Sequence, residues 1–120
     1  MQFDVERTTV AGRAALTVRG ELDLSTAPRL EAAAEQLLSG SRGFVVDLTS
    51  TTFLDSSGAR TLLGLAKRAE TAGLPMHVLA PRANGPVRLT LDLLDLGAYM
   101  SVVASAGEIT LRLADGDAGP

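Results

Sequence analysis

A carboxylate and two hydroxyls stand together at Asp55-Ser56-Ser57-Gly58 in this 120-residue chain. The segment lies between the apolar pair Phe53-Leu54 and a helical pattern. A serine at a strand-to-helix turn is the setting of the α/β-hydrolase nucleophile, which needs the pattern G-x-S-x-G. Here Leu54 stands two places before Ser56, and Asp55 two places before Ser57, so the glycine of the sharp turn is missing in either register. The one imidazole, His77, falls inside a predicted strand. A triad needs its base beside the serine, and a strand histidine is expected to pack against a neighbouring strand instead. Neither G-x-x-x-x-G-K-[ST] nor G-x-G-x-x-G occurs, so neither phosphate cradle is available.

Asp47, which ends the run "FVVD", has the position of a phospho-acceptor aspartate of the response-regulator receiver type. That site needs an acidic pair after the first strand, and the segment there, "RTTVAGR", has none. Asp47 is then a polar strand-end residue. Cysteine is absent, so disulfides and thiolate-bound zinc are excluded, and any metal site would be built almost wholly of oxygen. The expectation is a protein with no catalysis, cofactor or metal of its own.

What remains for "DSSG" is a helix N-terminus. Ser and Asp are favoured N-caps because they satisfy the orphan N–H groups of the first turn. The same N–H groups and the helix dipole attract anions. One hydroxyl suffices for a cap, so two in succession leave one without a structural task, and the fold would tolerate a phosphate on Ser56.

The elements that must position this segment follow from periodicity. Phe3 and Val5 alternating with Asp4 and Glu6 predict a strand over 2–9, and "AALTVRGEL" predicts a second over 14–21, joined through Gly12 as a hairpin. "DLSTAPRLEAAAEQLLSG" is a helix capped by Ser25 or Thr26, with Pro28 in its first turn and Ser39-Gly40 at its end. Its buried face would be Ala27, Leu30, Ala34, Leu37 and Leu38. "FVVDL", 44–48, reads as a buried central strand. A helix over 57–72 follows, with Ala59, Leu62, Leu63, Ala66 and Ala69 inward. A strand over 76–80 and a helix from Asn84 and Pro86 to about Leu96 come next. Leu89, Leu93 and Leu96 lie well round that helix from Val87, Leu91 and Leu94, an unusually wide apolar arc that offers either extra core or a second contact face. A strand over 100–105 and a short covering helix in "EITLRLA" complete the order β-β-α-β-α-β-α-β-α. The fold class is α/β: a mixed sheet with an initial hairpin and then parallel βα units, packed with about four helices. One domain is expected over 1–114, with 115–120 a disordered tail.

Composition bounds the partners. Hydrophobic residues make up 46% of the chain, enough for one core, and aromatics only 3%. Acidic residues exceed basic ones by 14 to 11, a net charge of −3, which argues against a nucleic-acid partner. Asp4 and Glu6 interrupt the N-terminus, which is therefore not expected to be a signal peptide. The longest uncharged stretch, Leu96 to Gly107, holds two glycines and is too short to span a bilayer. No membrane association and a cytoplasmic location are expected.

Two blocks, "RGELDLSTAPRLEAAAEQL" and "FVVDLTSTTFLDSSGARTLLGLAKRAETAG", together resemble the STAS domain, and within it the anti-sigma factor antagonists of bacterial sporulation and stress response. The resemblance runs from about Phe3 to Ser105, and the order and spacing of both blocks match. It implies that Ser56, the first residue after the aspartate of "DSSG", accepts phosphate. The donor would be a partner anti-sigma factor that is a serine kinase with a GHKL-type ATP site. A PP2C-type phosphatase would reverse the step, and only the unphosphorylated antagonist would bind the anti-sigma factor. Asp23 matches the aspartate of the family's "GELD" block, which aids recognition by the kinase, and Ser57 matches a position held by Ser or Thr. The expected docking face comprises Asp23, Ser25, Thr26, Asp55, Ser57, Gly58 and Arg60. The chain departs from the family where Ala59-Arg60 stands in place of the common Leu-Gly, and in the ending of its third helix. The alternative is a constitutive STAS scaffold or transporter accessory subunit, in which Ser56 is only a helix cap.

Overall fold

The computed structural model describes residues 2–40 and 42–111. Strands β1 (Asp4–Val10) and β2 (Arg13–Leu22) form the expected antiparallel hairpin. Its turn places Ala11 at φ 52° and Gly12 at φ 74°. Positive φ at both central residues matches the right-handed twist of the flanking strands, and glycine removes the steric cost at one of them.

The chain continues through helix α1 (Ala27–Gly40), strands β3 (Phe44–Asp47) and β4 (Thr51–Leu54), and helix α2 (Ser56–Thr71). Strand β5 (Met76–Leu79), helix α3 (Gly85–Leu93), a 3-10 turn (Leu96–Ala98) and strand β6 (Ser101–Val103) follow. A last helix, α4, covers 106–111. The sheet order is β1-β2-β3-β5-β6, and all pairings beyond the hairpin are parallel. The α/β fold class with a hairpin start and four helices is thus observed. The tail predicted over 115–120 lies outside the described residues.

One strand was not anticipated. The segment before the serines, which carries no strand pattern, forms β4, which pairs with the far half of β2. β2 is long enough to serve two partners. Ala15–Thr17 pair with β3, and Gly20–Leu22 pair with β4, across a register shift at Gly20, whose φ is 96°. A four-residue strand beginning with two threonines carries too little apolar alternation to be seen by pattern. Thr51 is fixed by tertiary contact, its hydroxyl donating to Val18 O at 2.8 Å.

The main core lies between one sheet face and α1–α3, and includes Leu16, Val18, Leu22, Leu54, Leu62 and Val78. The opposite face carries Ala15, Val45, Leu79 and Val103, covered by Ile109 of α4, which is fully buried. This cover is the task expected of "EITLRLA". Two inner faces differ from the helical-wheel reading. In α2, Leu65 is buried while Leu63 and Ala66 are only half-buried. α3 ends at Leu93 rather than Leu96, because Asp95 turns left-handed at φ 51°. That turn swings Leu96 inward to 4% exposure and leaves Leu94 at 45%, so the wide apolar arc is divided between core and surface.

Candidate functional site

The parallel pairing of β2 with β4 sets Leu22 opposite Leu54. The two strands therefore end together, and the Asp23 and Asp55 segments leave the same edge of the sheet side by side. The Asp55 N–H donates to Leu22 O at 3.3 Å and ties one exit to the other.

Asp55 is the N-cap of α2. Its backbone is extended, and its Oδ1 accepts from Gly58 N at 2.8 Å. Neither serine performs this task, contrary to the expectation of a serine cap. A charged acceptor forms the stronger bond to an amide and displaces the hydroxyls from the role. Ser56, the first residue of α2, is exposed, and no hydrogen bond to its hydroxyl is present among the described residues. Ser57 is half-buried. A helical step of about 100° per residue turns the two serines to different neighbours. Ser57 lines a groove of about 300 Å³ between α1 and α2, with Leu24, Pro28 and Glu31. Ser56 lines another of about 320 Å³ with Leu63, Leu94, Leu96 and Tyr99. Arg60 borders both grooves, is exposed, and has no carboxylate within ion-pair distance among the described residues.

The Asp23 loop is a closed knot. Asp23 Oδ1 accepts from Ser25 N (3.0 Å), Ser25 Oγ (2.9 Å) and Thr26 N (3.1 Å). Thr26 Oγ1 accepts from Asp23 N at 2.9 Å and donates to Glu21 O at 2.7 Å. The turn entering α1 is thus held by a carboxylate rather than by a Ser25 or Thr26 cap. The Ser25 hydroxyl, followed by the Thr26 amide, holds the Asp23 carboxyl below its ordinary range, because these donors favour the charged form. A depressed carboxylate pKa contributes stability above the unfolded-state value and loses it as pH falls through the lower folded-state value. Asp23→Ala should therefore lower the urea midpoint at pH 7. The gap to the parent should close as pH drops below the ordinary aspartate range. A gap that persists at pH 2 would mean the carboxylate charge is irrelevant.

Gly58, expected on the docking face, is buried instead. A Cβ there would lie 2.4 Å from Leu22 O and 2.7 Å from Leu54 Cδ1. Its role is to let α2 approach β2 and β4. Two positioning residues carried no sequence signal. Thr90 of α3 donates its hydroxyl to Leu54 O at 2.7 Å, and Asn84 Nδ2 donates to Leu48 O (3.0 Å) and Thr51 O (2.8 Å), pinning both ends of β4. Leu94, Leu96 and Tyr99 in the Ser56 groove also went unforeseen, since only the 3-10 turn brings them to α2.

His77 pairs with Val45, so it points to the sheet face opposite α2, with its Nδ1 2.7 Å from Ser101 Oγ. It cannot serve Ser56 as a base. Asp47 Oδ1 accepts from Thr49 N (3.0 Å) and Thr49 Oγ1 (2.6 Å), closing the turn before β4. Among the described residues no three His, Cys, Asp or Glu side chains cluster as a metal site, and no helix is long and apolar enough to cross a membrane.

The family model described as "Mlab, STAS domain" matches residues 7–104. The chain belongs to the STAS-domain family. Structural relatives agree on the fold. An anti-sigma factor antagonist from Mycobacterium paratuberculosis superposes with TM-score 0.76 at 21% identity, covering 94% of this chain and 95% of the other. SpoIIAA in its unphosphorylated form gives 0.62 at 19% identity, covering 96% and 99%. Bacillus SpoIIAA in its phosphorylated form gives 0.57 at 20% identity, covering 93% and 99%. No curated protein sequence matches significantly. Within this STAS domain, "GELD" closes β2 and "DSSG" opens α2, and the β2–β4 pairing brings the two segments together.

Proposed function

We propose that this STAS-domain protein is an anti-sigma factor antagonist whose acceptor is Ser56. The observation that carries the reading is the division of labour at α2: Asp55 caps the helix and leaves the Ser56 hydroxyl exposed and uncommitted. The partner is an anti-sigma factor with a GHKL-type serine kinase site. Ser56 Oγ attacks the γ-phosphorus of the kinase's ATP, the bond to the β,γ-bridging oxygen breaks, ADP leaves, and the hydroxyl proton passes to a base on the kinase. A PP2C-type phosphatase returns the serine by hydrolysis. The unphosphorylated chain holds the anti-sigma factor and frees the sigma factor, so the protein regulates transcription from the cytoplasm without catalysis of its own. Asp23, Ser25, Thr26, Asp55, Ser57 and Arg60 surround the acceptor on the face the partner meets, and the buried Gly58 supports that face from beneath.

The test is phosphorylation by the cognate kinase with ATP, followed by intact-mass measurement and site mapping. One phosphate on the parent chain is expected, none on Ser56→Ala, and one on Ser57→Ala. A phosphate mapped elsewhere, or none under any condition, sinks the proposal. Partner binding left unchanged by Ser56→Asp would instead favour the constitutive scaffold or transporter subunit.

A further inference from the structure

We infer that Arg60 is the internal counter-ion of a phosphate on Ser56, a regulatory role that rests on the acceptor reading above. Residues four apart on a helix are surface neighbours. Helical side chains lean toward the N-terminus, so a long side chain at position 60 covers the turn that holds position 56. The structure bears this out in placement, since Ser56 and Arg60 line the same groove beside Leu63 and Tyr99.

Arg60 is also available. Arg19 is paired with Asp4 and Glu6, and Arg68 with Glu35, whereas Arg60 has no such partner among the described residues. The charged groups that could compete are few. Asp55 directs Oδ1 to Gly58 N, and Glu31, across the α1–α2 groove, lies beyond ion-pair distance of Arg60. A guanidinium presents planar paired donors that match phosphate oxygens. The phosphate would be drawn along α2 over the mouth of the Ser56 groove. The pair would cancel one of its two charges, so the phosphorylated surface differs from the free one by occlusion as well as by charge.

The probe is the full chain with phosphoserine installed at position 56 during translation, titrated by phosphorus NMR. The second ionisation of free phosphoserine lies near about 6. An opposite charge nearby stabilises the dianion and lowers that value. It should fall about half a unit below the value in the same chain carrying Arg60→Ala, the size expected of an exposed helical pair. Arg60→Lys should lie between, and the difference should vanish at about 1 M salt. Coincident titrations of the parent and Arg60→Ala chains overturn the pairing. Because the phosphate is installed without the kinase, that result leaves the acceptor reading untouched. Failure of the kinase to modify Ser56 leaves the pairing measurable.

Discussion

Gly58→Ala should destabilise the domain by about 2 kcal/mol or more, although alanine is the better helix former. The new Cβ would sit 2.4 Å from the Leu22 carbonyl oxygen and 3.0 Å from its carbon. These are backbone atoms of a strand paired with β4, so they cannot rotate away as the end of a side chain could. Close-packed interiors yield little to such an insertion, and relief requires α2 to lift from β2 and β4. The helix-propensity gain of about 1 kcal/mol opposes the clash but does not offset it. Gly64→Ala on the same helix is the control. Nothing lies within 4 Å of its Cβ position, so it should be neutral or gain up to about 1 kcal/mol. Urea denaturation should show the Gly58→Ala midpoint lowered and the Gly64→Ala midpoint unchanged or raised. Equal midpoints would show that α2 is not seated on β2 as described. The displacement also matters for function, because the helix that lifts is the one that begins with Ser56.

The second large effect concerns the partner. Phosphate on Ser56 should weaken binding of the anti-sigma factor by about 30- to 1000-fold. Phosphorylation adds about 1.5–2 negative charges. Against a partner carboxylate within about 4 Å, each unit pair costs about 1 kcal/mol in water and more where water is excluded. A total of about 2–4 kcal/mol corresponds to that range of affinity, at about 1.4 kcal/mol per tenfold. No change of fold is needed to produce this loss, since α2 is capped by Asp55 and the Ser56 hydroxyl takes no part in the cap. Calorimetry of the chain with serine or phosphoserine at position 56, against the anti-sigma factor proposed as its partner, measures the ratio. A change below about threefold would end the switch reading. Salt should narrow the gap in proportion to its Coulombic share.

Local pattern made much of this legible. The hairpin, the buried strand "FVVD", the two long helices and the covering helix at the C-terminal end all follow from periodicity and end signals, because each buries one continuous stripe. The "GELD" and "DSSG" segments are visible as motifs for the same reason that caps are visible: short polar residues satisfy nearby backbone groups.

What local pattern could not decide was who caps whom. Asp55, Ser56 and Ser57 are all good caps, and the choice fell to Asp55 once its N–H was tied to Leu22 O and its carboxylate was aimed at Gly58 N. Nor could it show β4, which exists because β2 outruns β3 and offers a free edge. It could not say which side of the wide apolar arc of the third helix is buried, since one left-handed residue, Asp95, resets the helical phase and turns Leu96 inward. It counted Gly58 as surface, because closeness of two backbones leaves no trace in either sequence segment. By itself the sequence determined the family, most of the elements and "DSSG" as a helix start. Only the tertiary structure decided that Ser56 is left free, that Gly58 lies beneath the site, and that Arg60 stands beside it. Those outcomes depend on which groups compete for the same hydrogen bonds and the same space, and that competition begins only when distant strands meet.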